Sequence, residues 1–400
     1  MIRGCILMIV LSAATYAADA TKAEIDALIE KLGSAKFDER EKAVEKLIAV
    51  GTPAVDALKL ATKHVEIEVR MRAEKVLGEI LPSANKIVDM GLVWLHTHQE
   101  ADGRWDSKKH GSPVDHDIEQ TSLALLAFLG AGHTEKVGEH KECVKKAVAW
   151  LRSRQNDAGR ISREADGKID CIAHGLAMLA LAEAAGMANI PATRASAQKA
   201  AAYASESLQV KKDGYEPTGF PSVTGGEADL LATTVFTMAF KSVKVAGLTV
   251  HFRTLDGLIA FLDSVETKGE YARKPGGEPA LADTLGGLLC RQFLGWKRED
   301  LQASAERACT NLVKEAATSR PDPFHVWLAR LITIQQGGDL WRKTSKSLFE
   351  SSREAFEVEA GMGSFKPAKS ELSNGRVAST AMEVLGLEVY YRYLLLNPNR

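Results

Sequence analysis

The chain has 400 residues, of which 45% are hydrophobic and 26% charged, a composition typical of folded globular domains. At this length we expect two domains of unequal size. The formal net charge is −1, so no overall electrostatic attraction favours nucleic acid or an anionic membrane surface, and we expect neither as a partner.

Residues 1–20 have the layout of a secretory signal peptide. Arg3 supplies one positive charge, residues 5–14 form a short apolar run, and small residues follow up to Ala20. The run is too short to span a bilayer, and no later run reaches about 18 consecutive apolar residues. We therefore expect an exported protein, periplasmic or extracellular, without a transmembrane segment.

Residues 21–84 are predicted to form short amphipathic helices. Segments 38–43 (Asp-Glu-Arg-Glu-Lys-Ala) and 68–73 (Glu-Val-Arg-Met-Arg-Ala) lie about 30 residues apart in this region. They resemble the helix openings of HEAT repeats, which implies a short helical array. Each unit of such an array needs a neighbour to cover its apolar face. The region is therefore either structural or a surface for a protein partner.

A second repeat fills residues 85–400. Trp94 and Leu95 precede Gln99 and a Gly103-Arg104-Trp105 turn, and the same template returns with Trp150, Gln155 and Gly159. Weaker copies begin at Tyr203 (with Gly214-Tyr215), Phe261, Leu312 and Leu348. A more apolar helical segment follows each copy, at 121–129, 171–185, 228–245, 281–294, 324–335 and 377–395.

Six pairs of an amphipathic helix and an apolar helix predict a closed double ring. A helix that is apolar on most faces must be surrounded by protein, and closing the ring leaves no apolar end exposed. We found no alternating strand pattern. The predicted fold is therefore all-α: an (α/α)6 toroid, a double ring of six helical hairpins, preceded by the short HEAT-like region.

The Trp-Leu-x-x-x-Gln and Gly-x-Trp template resembles the QW repeat of squalene cyclases and the related repeat of protein prenyltransferase β subunits. Among proteins with this repeat, the chain is most similar to uncharacterised exported bacterial members. The resemblance implies structural roles for Gln99, Gln155 and Trp105. It also implies an isoprenoid or another apolar ligand in the central cavity.

Class II cyclases carry a proton-donating carboxylic acid within Asp-x-Asp-Asp-Thr at the start of an inner helix. This chain has Asp117-Ile118-Glu119-Gln120-Thr121 there, so the resemblance makes Glu119 the donor, with Asp117 beside it. Carboxylates at this place also suit a helix N-terminus. Aromatic residues make up only 6% of the chain. Few of them are expected near the inner mouth, where Phe324 and Trp327 are the best placed. This scarcity argues against a pocket that forms several rings.

Prenyltransferases activate a thiolate on zinc held by Asp, Cys and His. Asp170, Cys171 and His174 bring these residue types together at an inner-helix start, and Cys171 and His174 share a helical face. The adjacent Asp-Cys pair departs from the family's Asp-x-Cys arrangement. The open alternatives are a zinc site, with no other cofactor expected, or a hydrogen-bonded His174 in the ring. Disulfides among Cys143, Cys171, Cys290 and Cys309 are also left open.

Further carboxylates stand at other inner-helix starts, among them Glu227 and Asp229. Rings of six helical hairpins also carry glycosidases and polysaccharide lyases, in which two carboxyl groups act as acid and base. Three functions thus stay open. The first is a binding or scaffold protein that holds an apolar ligand or partner segment. The second is a terpenoid cyclase or prenyltransferase, and the third is a sugar-active hydrolase or lyase.

Overall fold

The computed structural model describes residues 21–165, 168–213, 216–370, 372 and 374–389. The expected signal peptide lies outside these residues, as do Gly214 and Tyr215 of the third repeat copy. The chain divides into two compact units, one ending at Lys86 and the other beginning at Ile87.

The first unit consists of two helical hairpins. Its helices are α1 (Lys22–Lys31), α2 (Phe37–Val50), α3 (Val55–Ala61) and α4 (Ile67–Ile80), with a 3-10 turn at Thr52–Ala54. Its core contains fully buried Leu32, Leu47 and Leu58. Arg40 donates to the carbonyl of Ser34 and Arg70 to that of His64, each at 2.7 Å. The two helix openings that look alike in sequence therefore make the same contact with the preceding turn.

The second unit alternates outer and inner helices along the chain. The outer helices are α5 (Ala84–Thr97), α7 (Lys141–Ser153), α9 (Pro191–Tyr203), α11 (Phe252–Val265), α13 (Arg298–Ala316) and α15 (Gly338–Ala355). The inner helices are α6 (Asp117–Gly130), α8 (Cys171–Ala188), α10 (Leu230–Val245), α12 (Leu281–Leu294), α14 (Pro323–Gln336) and α16 (Arg376–Leu387).

The inner helices form a closed ring. Each packs against the next in chain order, and the last, α16, packs against the first, α6. The closing contact includes a hydrogen bond from Gln120 Nε2 to the carbonyl of Asn374, at 2.6 Å. The backbone N–H of Arg376 also donates to the carbonyl of His110, at 2.8 Å. The predicted (α/α)6 toroid is confirmed.

Helix α8 illustrates why the inner helices must be enclosed. Among the described residues it alone is long and apolar enough, by length and composition, to cross a membrane. Within the protein 78% of that helix is buried. A helix that is apolar all round is the expected core element of such a ring.

The repeated glutamine joins consecutive outer helices. Gln99 Nε2 donates to the carbonyl of Gly103 in its own turn and to that of Cys143 on α7, both at 3.0 Å. The same bridge recurs from Gln155 to Gly159 and Ser196, and from Gln209 to Thr218 and Thr254. The template is therefore a packing device between neighbouring hairpins.

The template glycine has two independent reasons to be there. Gly103 has a φ of +101°, a backbone angle that residues other than glycine rarely adopt. A Cβ atom on it would also lie 2.4 Å from the carbonyl oxygen of Lys146. Gly159 repeats both features against Lys199. Neighbouring hairpins can therefore approach closely only through glycine.

The third copy has one extra residue between its aromatic residue and its glutamine. Tyr203 and Gln209 are six positions apart, where Trp94 and Gln99 are five apart. A π-helical turn at Ala204–Leu208 absorbs the extra residue. Gln209 thereby keeps the bridging position that Gln99 has.

Four short antiparallel hairpins precede inner helices. They pair β1 (Glu164–Ala165) with β2 (Lys168–Ile169), β3 (Lys211–Lys212) with β4 (Glu216–Pro217), β5 (Glu266–Thr267) with β6 (Glu270–Tyr271), and β7 (Phe356–Glu359) with β8 (Met362–Phe365). Strands of two to four residues are too short to show an alternating pattern, which explains why none was predicted.

Candidate functional sites at the two ends of the ring

All six inner helices begin at the same end of the ring, because an outer helix returns the chain between each pair. The hairpins lie at this end, and so do the predicted carboxylates. We call it the N-terminal mouth and the opposite end the C-terminal mouth. The two mouths differ in chemistry and in free space.

Two of the predicted acids tie the loop before an inner helix to the start of that helix. Asp117 accepts hydrogen bonds from the N–H and the hydroxyl of Ser107, both at 2.8 Å, and pairs with Arg104. Asp229 accepts from the N–H and hydroxyl of Ser222, at 2.9 and 2.7 Å. Both carboxylates stand four residues before a repeated polar position of the inner helix, and both stabilise the repeat.

His174 occupies that repeated position, which is threonine in four of the other five inner helices. In four other copies a threonine hydroxyl accepts the backbone N–H of an apolar loop residue, namely Thr121 from Trp105, Thr233 from Phe220, Thr284 from Tyr271 and Thr380 from Phe365. His174 Nδ1 accepts the N–H of Ile161 at 3.0 Å, and its Nε2 lies 3.1 Å from the carbonyl of Ala200. Complete burial lowers its pKa to about 4, so the ring is neutral and both nitrogens are occupied.

The residues proposed as a zinc trio do not converge. Cys171 is buried, and burial raises its pKa to about 12, so the thiol stays protonated. Asp170 caps helix α8 through the N–H of Ala173 at 3.0 Å. Across the described ranges, no group of three or more His, Cys, Asp or Glu side chains is arranged to hold a metal ion. Cys143, Cys171, Cys290 and Cys309 are all buried and free of disulfides.

Glu119 differs from the other predicted acids because it has no counterpart in the repeat. It is 2% exposed, and its Oε1 lies 2.7 Å from Arg163 Nη2. The same nitrogen lies 2.7 Å from Asp170 Oδ2, so the Arg163 guanidinium contacts two carboxyl groups. Burial, and then repulsion from Asp170, raise the pKa of Glu119 to about 8. Glu119 is therefore protonated at neutral pH.

Glu227 does not join these residues. Its side chain is 81% exposed and lies 3.3 Å from Lys274. Among the described residues, the free space between α10, α12 and α14, beside Asp283 and His325, is only about 10 Å³. The five residues predicted to be catalytic thus lie at one end of the ring in different local environments.

A cavity opens at the C-terminal mouth, and of the residues that line it only Trp327 is among those named from the sequence. It has a volume of about 810 Å³ and is lined by residues of five inner helices, mostly from their C-terminal halves, and by the connections after them. This is within the usual range of roughly 300–1,000 Å³ for small-molecule sites. Its apolar wall includes Leu179, Met238 and Leu331.

Two residues of the cavity wall each have a buried polar atom without a hydrogen-bond partner. Trp327 is 2% exposed, and its indole N–H donates no hydrogen bond. Gln292 Nε2 donates to the carbonyl of Ile332 at 3.2 Å, which leaves the buried Oε1 as an unused acceptor. Such atoms cost free energy unless a ligand or water satisfies them.

Charged and aromatic groups complete the wall. Trp296 lies over Arg291, whose guanidinium carbon is 4.5 Å from the ring centroid. Glu183 accepts a hydrogen bond from Ser242 at 2.6 Å. Lys241 and Arg298 also line the cavity. A signal for this site was present in the sequence, because Lys241 and Gln292 interrupt otherwise apolar inner helices.

Several solved structures share this fold. Cellobiose 2-epimerase from Spirochaeta thermophila matches with a TM-score of 0.59 at 11% identity, over 77% of this chain and 95% of that one. A sugar epimerase from a ruminal bacterium matches with a TM-score of 0.56 at 12% identity, over 77% and 97%. The glycoside hydrolase family 76 mannosidase from Bacteroides thetaiotaomicron has a TM-score of 0.52 at 12% identity, over 79% and 99%.

At these identities the likeness is one of fold. No family model matches the chain. No curated protein matches it either.

The expected place among squalene cyclases and prenyltransferase β subunits is wrong, because the similar solved structures are named as sugar epimerases and a mannosidase. The physical reason lies in the template. Gln99, Gly103 and Trp105 specify how one hairpin packs on the next, and a toroid of any chemistry needs that packing.

Proposed function

We propose that this protein is a sugar-active toroid protein that binds a mono- or disaccharide in the cavity at the C-terminal mouth. The observation that carries the proposal is the pair of unused atoms, Trp327 Nε1 and Gln292 Oε1. A sugar hydroxyl both accepts and donates hydrogen bonds, so it can satisfy a donor and an acceptor of this kind. An apolar ligand would leave both atoms unpaired.

The rest of the wall supports the same ligand class. Trp296 and Trp327 supply aromatic surface for the apolar faces of sugar rings, and the amides of Gln292 and Gln335 supply further hydrogen-bonding groups. The volume of about 810 Å³ has room for two rings. The names of the similar solved structures, which include epimerases and a mannosidase, agree with this proposal.

The number of carboxylates that line the cavity indicates which type of reaction it could support. Hydrolysis of a glycosidic bond commonly uses two carboxyl groups, one as acid and one as base or nucleophile. Among the described residues that line the cavity, Glu183 is the only carboxylate. Proton transfer at a sugar carbon, as in an epimerisation or elimination, needs fewer carboxylates. We assign Glu183 to that proton transfer.

Calorimetric titration with cellobiose, mannobiose and digalacturonate tests the binding proposal. Trp327→Phe removes the N–H and keeps an aromatic ring, and should weaken binding about tenfold, the usual effect of losing one buried hydrogen bond. The matched control is Trp150→Phe, which removes another buried, unpaired indole N–H on outer helix α7, outside the cavity.

Trp150→Phe should bind sugar as the unsubstituted protein does. The proposal fails if none of the three sugars binds. It also fails if Trp327→Phe binds them as tightly as the control. Proton NMR of bound sugars then follows the exchange of the hydrogen on each sugar carbon with solvent. Glu183→Gln should abolish any such exchange while sugar binding persists.

A second candidate is glycoside hydrolysis at the N-terminal mouth. Glu119 and Asp170 share Arg163, and burial raises the pKa of Glu119 to about 8, which suits a general acid. Glu119→Gln distinguishes the candidates. Loss of hydrolysis in this variant, with hydrolysis intact in Trp327→Phe, would favour the N-terminal mouth.

A further inference from the structure

Two cations line the cavity at the C-terminal mouth without an anionic partner among the described residues. Lys241 lies on α10 and Arg298 begins α13, and both line the cavity. Within the described part of the chain neither forms an ion pair. At the N-terminal mouth, by contrast, Arg104, Arg163 and Arg273 each pair with a carboxylate.

Glu183, the carboxylate on the cavity wall, does not act as the counter-ion of Lys241. Desolvation and then repulsion from Lys244 lower the pKa of Lys241, and no carboxylate opposes this effect. Glu183 instead accepts the hydroxyl of Ser242. The cavity wall therefore carries two positive charges and one negative charge, an excess of one positive charge.

We propose that the cavity is selective for an acidic saccharide, one that carries a negatively charged substituent such as the carboxylate of a uronic acid. This inference rests on the proposed sugar-binding function and adds the charge of the substrate to it. Trp327 and Gln292 would bind hydroxyl groups, while Lys241 and Arg298 would bind the anion. A guanidinium can form two parallel hydrogen bonds to a carboxylate, and sulfate offers similar acceptor oxygens.

A pair of probes that differ in charge and in two methyl groups tests the inference. Digalacturonate and its methyl ester have the same rings and hydroxyl groups, and the ester lacks the negative charges. Calorimetry on the full-length protein should show about tenfold tighter binding of the acid than of the ester. The preference should shrink as ionic strength rises, because salt screens the attraction.

The double variant Lys241→Gln, Arg298→Gln identifies the groups responsible. It should lose the preference for the acid and bind the ester as the unsubstituted protein does. Lys244→Gln is the matched control, since it removes a neighbouring positive charge of α10 that does not line the cavity, and it should keep the preference. A sulfated disaccharide as a third probe shows which type of anion binds more tightly.

The outcomes separate this inference from the function it rests on. Equal binding of acid and ester overturns the charge selectivity and leaves sugar binding intact. A preference that survives the double variant overturns the assignment to Lys241 and Arg298. Absence of binding by every probe overturns the proposed function and this inference together.

Discussion

At the scale of single residues, burial decides what the acids of this chain can do. Asp117 and Asp229 accept hydrogen bonds from hydroxyl and N–H groups of the loops before their helices. Glu119 has the same chemistry but lies in the interior beside Asp170, with one arginine for both. The environment therefore turns one of several similar acids into a neutral group at pH 7.

The stability of the protein should depend on pH through Glu119. Its pKa is about 8 when folded and near 4.5 when unfolded, so the folded state binds the proton more tightly. This contribution to the free energy of unfolding is complete below pH 4.5 and is lost as pH rises through 8. Glu119→Gln cannot ionise, so its stability should exceed that of the unsubstituted protein increasingly between pH 5 and pH 9, by on the order of a few kcal/mol.

Urea unfolding at several pH values measures this difference. Glu227→Gln is the control, because this side chain stands at the same mouth but is 81% exposed. Its stability relative to the unsubstituted protein should stay constant with pH. A pH-independent difference for Glu119→Gln would show that Glu119 is ionised in the folded protein.

At the scale of elements, the repeat tolerates an insertion because a helix can absorb one residue as a π turn. The turn at Ala204–Leu208 lets Gln209 reach Thr218 and Thr254 despite its displaced position. The same unit can therefore recur with imperfect spacing. This explains why the copy beginning at Tyr203 is weak in sequence and regular in structure.

Deletion of Glu206, an exposed residue of the π turn, should restore the five-residue spacing found between Trp94 and Gln99. We expect the shortened chain to fold with a stability within about 1 kcal/mol of the original, because it regains regular α-helical hydrogen bonds. Thermal unfolding followed by circular dichroism is the measurement.

The comparison is deletion of Asp256, which is exposed on regular helix α11. That deletion turns the following residues about 100° around the helix axis and moves Phe261 and Leu262 out of the core. It should abolish cooperative unfolding. If both deletions are equally harmful, the π turn has a role of its own beyond spacing.

At the scale of the whole molecule, the ring is stable only if its last inner helix reaches its first hairpin. Gly91 of outer helix α5 lies against Val384 of α16, and a Cβ atom at position 91 would be 2.7 Å from a Val384 methyl group. The contact joins residues far apart in the chain. It forms only when all six hairpins are in place.

Gly91→Ala should therefore destabilise the toroid by about 1–3 kcal/mol through overpacking, although alanine is the better helix former. Gly78→Ala is the matched control, since this helical glycine has open space around it. It should be neutral or stabilising by up to about 1 kcal/mol. Denaturant unfolding compares the two. A neutral Gly91→Ala would mean that the closing contact adjusts freely.

The class of the elements and their order could be predicted from the sequence alone. Spacings such as that from Trp94 to Gln99 and Gly103 are local, so they predict the hairpin, and the apolar inner segments then require a closed ring. The roles of Gln99 and Gln155 in packing followed from the same local pattern. The conclusion that this pattern also implies cyclase or prenyltransferase chemistry was wrong, because packing residues carry no information about catalysis.

Which side chains meet, and where space remains, depends on the tertiary structure. Local sequence signals place the candidate chemistry at the inner-helix starts, where carboxylates gather, and several of the acids there are paired with arginines. Trp327, Gln292 and Lys241 belong to different helices, and nothing in their spacing along the chain indicates that they share a cavity. Free volume and desolvation arise from the packing of all six hairpins, so no single segment of sequence can reveal them.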